Sequence, residues 1–139
     1  IFGIPLNFLV GYTYMEPWNL NAEAILKDPS AVYLNFRMKH TAKADVQTEY
    51  KGLIVGVTGT FTSQMIRIDP QYNVLNKIRN WRATHSKGDF VFDVRAGYNW
   101  KDKLTATAIV KNIANREYTL RPGYVEAPRN YTLQVTYSF

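Results

Sequence analysis

The chain has 139 residues and 46% apolar content, enough for one ordinary folded domain and too apolar for a disordered segment. Cysteine is absent, which excludes disulfide frameworks and thiolate metal sites, and no apolar stretch approaches the roughly 18 residues of a spanning helix. The net charge of +6 is scattered without a long run of one sign, so a basic nucleic-acid interface is not indicated.

Alternation with a period of two predicts six strands. The chain opens on the first, IFGIPLNFLVGYTY, with no starting Met and no signal peptide, which reads as a piece of a longer polypeptide or a mature product. Leu6, Phe8, Val10, Tyr12 and Tyr14 share one face of it, and Asn7, Gly11 and Thr13 the other. A long connection follows, over roughly residues 15–40. Its stretch EPWNLNAEAILKDPSAVY suits a short helix at AEAIL or an extension of the strands, and its Trp18 is an interface anchor or a ligand contact. The second strand sets Ala42, Ala44, Val46, Thr48 and Tyr50 against Thr41, Lys43, Asp45, Gln47 and Glu49. A Lys51-Gly52 turn leads to the third, with Leu53, Val55, Val57, Gly59 and Phe61 against Ile54, Gly56, Thr58, Thr60 and Thr62. In the second long connection, roughly 66–88, the stretch NVLNKIRNW predicts a short helix with Val74, Leu75, Ile78 and Trp81 on one face. The fourth strand has Phe90, Phe92, Val94, Ala96, Tyr98 and Trp100 against Val91, Asp93, Arg95, Gly97 and Asn99. The turn KDK leads to the fifth, with Leu104, Ala106, Ala108 and Val110 against Thr105, Thr107, Ile109 and Lys111. After a third long connection, roughly 113–129, the chain closes on NYTLQVTYSF, where Tyr131, Leu133, Val135, Tyr137 and Phe139 oppose Thr132, Gln134, Thr136 and Ser138.

Tight turns and long connections alternate strictly. If the strands run up and down, the tight turns lie at one end and the long loops at the other, as in an outer-membrane barrel. The apolar face carries aromatics near the strand ends (Tyr12, Tyr14, Tyr50, Phe61, Phe90, Tyr98, Trp100, Tyr137 and Phe139), as interfacial girdles do. Lys43, Asp45, Glu49, Asp93 and Arg95 lie on the other face, toward a lumen, where they pair across strands or hold a plug domain. A soluble sheet would need a second layer over its apolar face, and no second set of strands is visible. A soluble ligand carrier would need Phe90, Phe92 and Tyr98 inside and the charges outside. Six strands are too few to close a barrel, for which about eight is the lower limit, so either the long loops hide two more or other segments complete it.

The stretches GYTYMEP, FRMKHTAKADVQTEYKGLIVGVTG and KLTATAIVKNIANREYTLRPGYVEAPRNYTLQVTYSF resemble the last six strands of a TonB-dependent outer-membrane receptor, over essentially the whole chain. The closing segment is the most specific part. KNIANREY, from Lys111 to Tyr118, ends the penultimate strand, and RPGYVEAPRNY, from Arg121 to Tyr131, corresponds to the last extracellular loop. MKHTAKADV is similar to the family's loop-to-strand re-entry, with Met38 where Pro is common. The resemblance implies an all-β fold, an antiparallel up-and-down transmembrane β-barrel segment within a barrel of about 22 strands. Residues 1–139 would be its C-terminal portion, with the plug domain outside this chain. It implies a Gram-negative outer-membrane location and energy-coupled import of a siderophore (iron transport), haem, cobalamin or a similar scarce ligand, with no cofactor of its own. The implied partners are the remaining barrel and plug segments, the TonB complex acting through the plug, the barrel-assembly machinery and outer-membrane lipid, and no nucleic acid. By the same resemblance Tyr131, Leu133, Val135, Tyr137 and Phe139 form the barrel-assembly signal, an edge strand suited to β-augmentation, while also facing lipid. The alternative reading is a small stand-alone outer-membrane barrel with a structural or adhesion role.

No catalytic constellation is visible, and an enzyme is not expected: His40 and His85 lie in separate regions without a nucleophile–base pair. His40 reads as a loop or interface residue, and His85, in NWRATHSKGD, as a solvated loop residue or a haem-iron ligand. Arg67, Lys77, Arg79, Arg82 and Lys87 against Asp69 make the second long connection basic, suited to an anionic ligand or to lipid phosphates. The candidate ligand-binding residues are Trp81, Arg82, His85 and Arg121, and no metal ligands are identified.

Overall fold

The computed structural model describes residues 3–139. Six strands, β1 (Leu6–Tyr14), β2 (His40–Tyr50), β3 (Leu53–Thr62), β4 (Asp89–Trp100), β5 (Leu104–Lys111) and β6 (Asn130–Tyr137), form one antiparallel sheet in chain order. The fold is all-β and up-and-down, as the alternation predicts. The sheet is not closed, and β1 and β6 are its two edges.

The tight turns follow from local chemistry. Lys51 (φ 50°) and Gly52 (φ 82°) both take left-handed backbone, the requirement of a two-residue type I′ hairpin. A Cβ at position 52 would stand 2.6 Å from the Asn99 carbonyl oxygen, so the site needs glycine for space as well. The second turn places Lys101 and Asp102 in the same region and is closed by the Lys103 N–H donating to the Trp100 carbonyl at 3.0 Å.

Register assigns the faces. Phe8, Val46, Val57, Val94, Val110 and Tyr131 stand side by side across all six strands, and Leu6, Thr48, Val55, Ala96, Ala108 and Leu133 form the next row. Among the described residues no second layer packs on this face: the buried apolar side chains are Ala31, Met65 and Ile68, all in the long loops. Aromatic pairs bound the band. Phe61 and Phe90 lie 4.6 Å apart at the long-loop end, and Tyr98 and Trp100 lie 4.8 Å apart at the tight-turn end. The opposite face is mainly polar, with the exposed Leu9 beside Asp45 as an exception.

The first two long loops carry short helices. In the first, α1 (Ala22–Lys27) starts at Asn21, whose side chain accepts from the Ala24 N–H at 3.1 Å, and a 3-10 turn, Pro29–Val32, starts at Asp28 in the same way. The short-helix option at AEAIL is therefore the one adopted. The single helix expected over NVLNKIRNW is instead two, α2 (Pro70–Asn73) and α3 (Asn76–Thr84). Asp69 caps Gln71 and Pro70 occupies the first turn, so helix begins early, and Leu75 interrupts it with extended backbone. Val74 and Leu75 are exposed while Ile78 and Trp81 turn inward, so the four do not share one face.

Candidate ligand cavity and polar face

A cavity of about 410 Å³ lies between α3 and the last long loop. Ile78, Trp81, Arg82 and His85 line it from one side; the spacing of three, four and seven residues places them on one helical stripe. The Trp81 and His85 rings stack at 4.1 Å, and His85 Nδ1 lies 3.0 Å from the Trp81 carbonyl oxygen. Arg82 is pinned: its Nη2 donates to the Met65 carbonyl at 3.0 Å, and its own carbonyl accepts from Gln64 Nε2. Burial lowers its pKa from the ordinary guanidinium value. Pro122, Tyr124 and Val125 line the cavity from the last loop.

Three of the four expected loop residues, Trp81, Arg82 and His85, thus meet at one cavity, and Arg121 does not line it. Arg121 bridges to Tyr124 through the backbone and lays its guanidinium 5.2 Å from the Tyr124 ring centre, so it braces a wall residue. Of the basic residues of the second long loop, Lys77 and Arg82 line the cavity and the others lie elsewhere. Arg67 turns to Asp28 (2.6 Å) and Asn35 (2.8 Å), tying the first loop to the second, and Arg79 bonds Asn76.

The residue that shapes the last loop is Asn112, which sequence reasoning passed over. It is 2% exposed and has left-handed backbone (φ 50°). Its N–H donates to Asp93, its side-chain oxygen accepts from the Arg116 N–H, and its side-chain NH₂ donates to the Arg116 and Ala127 carbonyls. Asn115, also left-handed, accepts from the Arg129 N–H at 2.8 Å. Arg116 then reaches the buried Asp89 at the start of β4, 2.9 Å away. The available signal was the pair of asparagines in KNIAN, since Asn tolerates left-handed backbone better than other non-glycine residues.

On the polar face Arg95 and Asp45 make a two-pronged pair, at 2.7 and 2.9 Å. Arg95 Nε also donates to Gln47, and the Thr58 hydroxyl donates to Asp45. The pair spans from β4 to β2 over β3, which is possible because residue 56 is glycine: a Cβ there would stand 2.6 Å from Arg95 Cζ. Asp93 is engaged with Asn112. Lys43 and Glu49 lie on the same face and make no ion pair among the described residues.

At the long-loop end of β1, Glu16 collects the Tyr14 hydroxyl (2.5 Å), Lys39 Nζ (3.1 Å) and Trp18 Nε1 (3.2 Å). Trp18 also stacks on Tyr33 at 4.8 Å, and His40 bonds the Tyr12 hydroxyl at 2.8 Å. The Tyr14 hydroxyl first, and Lys39 after it, hold the Glu16 carboxyl below its ordinary value. Hydrogen bonds from Ser30, then Arg67, do the same for Asp28. Both groups favour the folded loop when ionised. Their contribution is present above the ordinary carboxylate range and is lost as pH falls through the lowered values. The protection of backbone amides over residues 15–39 against hydrogen exchange, corrected for the intrinsic rate at each pH, is therefore expected to fall only below about pH 4; equal protection, relative to β3, at about pH 5 and pH 2.5 would contradict this.

Compared with known proteins, the chain matches no protein-family model and no curated protein.

Proposed function

We propose that this chain is the C-terminal wall segment of a TonB-dependent outer-membrane receptor of a Gram-negative bacterium. It supplies the last six strands and three extracellular loops of a barrel of about 22 strands. The receptor imports a scarce ligand such as a siderophore, haem or cobalamin, by binding and passage rather than covalent chemistry. The observation that carries this reading is the uncovered row Phe8, Val46, Val57, Val94, Val110 and Tyr131, apolar across all six strands. In water such a face is a large aggregation-prone patch; against lipid it is the required surface. From Phe90 to Tyr98 the strand rises about 26 Å, or about 20 Å along the normal at a tilt of roughly 40°, close to the height of an outer-membrane apolar band. The Arg95–Asp45 pair on the opposite face suits a watery lumen closed by a polar plug. The free edges of β1 and β6 suit pairing with further barrel strands, and the apolar residues of β6 suit the barrel-assembly signal.

The test is fractionation and intact mass of the native polypeptide containing NYTLQVTYSF. The reading expects an outer-membrane protein several times heavier than the 16.0 kDa of this chain. An outer-membrane protein near 16 kDa would replace the receptor with a small stand-alone barrel, and recovery as a soluble protein would overturn both.

A further inference from the structure

We propose that the cavity between α3 and the last long loop is a binding site for a small, flat aromatic carboxylate. Its volume, about 410 Å³, lies within the range of small-molecule pockets and accommodates one or two fused rings. The site is pre-formed. Met65 and Ile68 on its floor are 6% and 3% exposed, and the facing loop is clamped by Asn112 and by the Arg116–Asp89 pair. Trp81 and Tyr124 bring aromatic surface from the two sides of the cavity, which suits a flat ring.

The polar groups specify the rest of the ligand. Trp81 contributes its ring rather than its N–H, because Nε1 is buried away from the cavity space. Besides Tyr124, five titratable groups line the cavity: Lys77, Arg82, His85, Asp89 and Glu117. Asp89 is engaged by Arg116, so two permanent cations face one remaining carboxylate, Glu117. That balance favours an anion. The inference rests on the cavity and not on the receptor reading, and it would hold equally in a stand-alone barrel.

The probe is 2-naphthoate, titrated calorimetrically into the full native polypeptide in detergent. Saturable binding with a Kd below about 1 mM is expected. Trp81→Ala, which removes an aromatic wall of the cavity, should weaken it by roughly 3- to 10-fold, and the uncharged methyl ester should bind more weakly than the acid. Val125→Trp, an exposed loop position beside the cavity, should abolish binding while leaving the strand signal in circular dichroism unchanged. The indole N–H resonance of Trp81 should shift on titration in the unmodified protein, a readout that needs no variant. Absence of saturable binding at about 5 mM would overturn the proposal, as would binding indifferent to both substitutions, which would place the probe on the apolar face or in the micelle. An outer-membrane protein that fails to bind naphthoate would end this inference and leave the receptor reading intact.

Discussion

Replacing Val94 with arginine is expected to cost about 2–4 kcal/mol of barrel stability in a bilayer. Val94 lies in the central row of the apolar face, paired with Val57 and Val110, and stands four residues from both Phe90 and Tyr98. A guanidinium there must either desolvate in hydrocarbon or drag water toward the midplane. The adjacent position gives the internal control. Arg95 faces the other way and chelates Asp45. Arg95→Ala removes charge-assisted hydrogen bonds from a partly exposed pair, for an expected cost of about 1 kcal/mol, less than its bond count suggests because water screens the remaining carboxylate. Denaturant unfolding of the full polypeptide in lipid vesicles measures both. Equal costs at the two neighbours would contradict the assigned faces.

Asn112→Ala is expected to cost about 3 kcal/mol. The substitution leaves the Arg116 N–H and the Arg116 and Ala127 carbonyls without their side-chain partner and holds a residue other than Asn or Gly in left-handed backbone at a buried position. Asn115→Ala, at an exposed left-handed site with one side-chain bond to Arg129, should cost about 1 kcal/mol. The consequence for the cavity is direct, because Asn112 sets the path of the loop carrying Tyr124 and Val125. Asn112→Ala should therefore expose the last loop to limited proteolysis while the tight turns at Gly52 and Asp102 stay protected. Cleavage spread evenly over both ends would show a global rather than a local role.

The sheet was readable because a strand's side-chain period is two and one face is uniformly apolar: Phe90, Phe92 and Val94 announce β4 without reference to any partner. Its turns were readable for the same local reason, since Lys51-Gly52 carries its own backbone preference. What was not readable depends on contacts between distant segments. The pairing of Arg67 with Asp28 and of Gln64 with the Arg82 carbonyl joins residues that share no periodic pattern. Asp45 and Arg95 could be placed on one face, but the role of Gly56 in letting them meet across an intervening strand could not. The inward stripe of α3 was misread because Asp69-Pro70 and the extended Leu75 reset the helix register. Trp81, Arg82 and His85 were readable as residue types suited to binding, whereas the cavity that unites them depends on Asn112, a buried asparagine whose role only the folded loop reveals.

The central claim is that the apolar face meets lipid and the opposite face meets water. These 139 residues contain no cysteine, so once any cysteine elsewhere in the full polypeptide is replaced, spin labels can be attached one at a time along β3, at Val57→Cys, Thr58→Cys and their neighbours, and the protein reconstituted in vesicles. Collision rates with oxygen, which concentrates in lipid, and with a water-soluble nickel chelate then report each environment. The account predicts oxygen accessibility peaking at 53, 55, 57, 59 and 61, with the chelate excluded there and any chelate contact confined to 54, 58, 60 and 62; Gly56 is left unlabelled because a side chain there would displace Arg95. Low accessibility to both reagents at the odd positions would mean that protein, not lipid, covers this face, and would contradict the account.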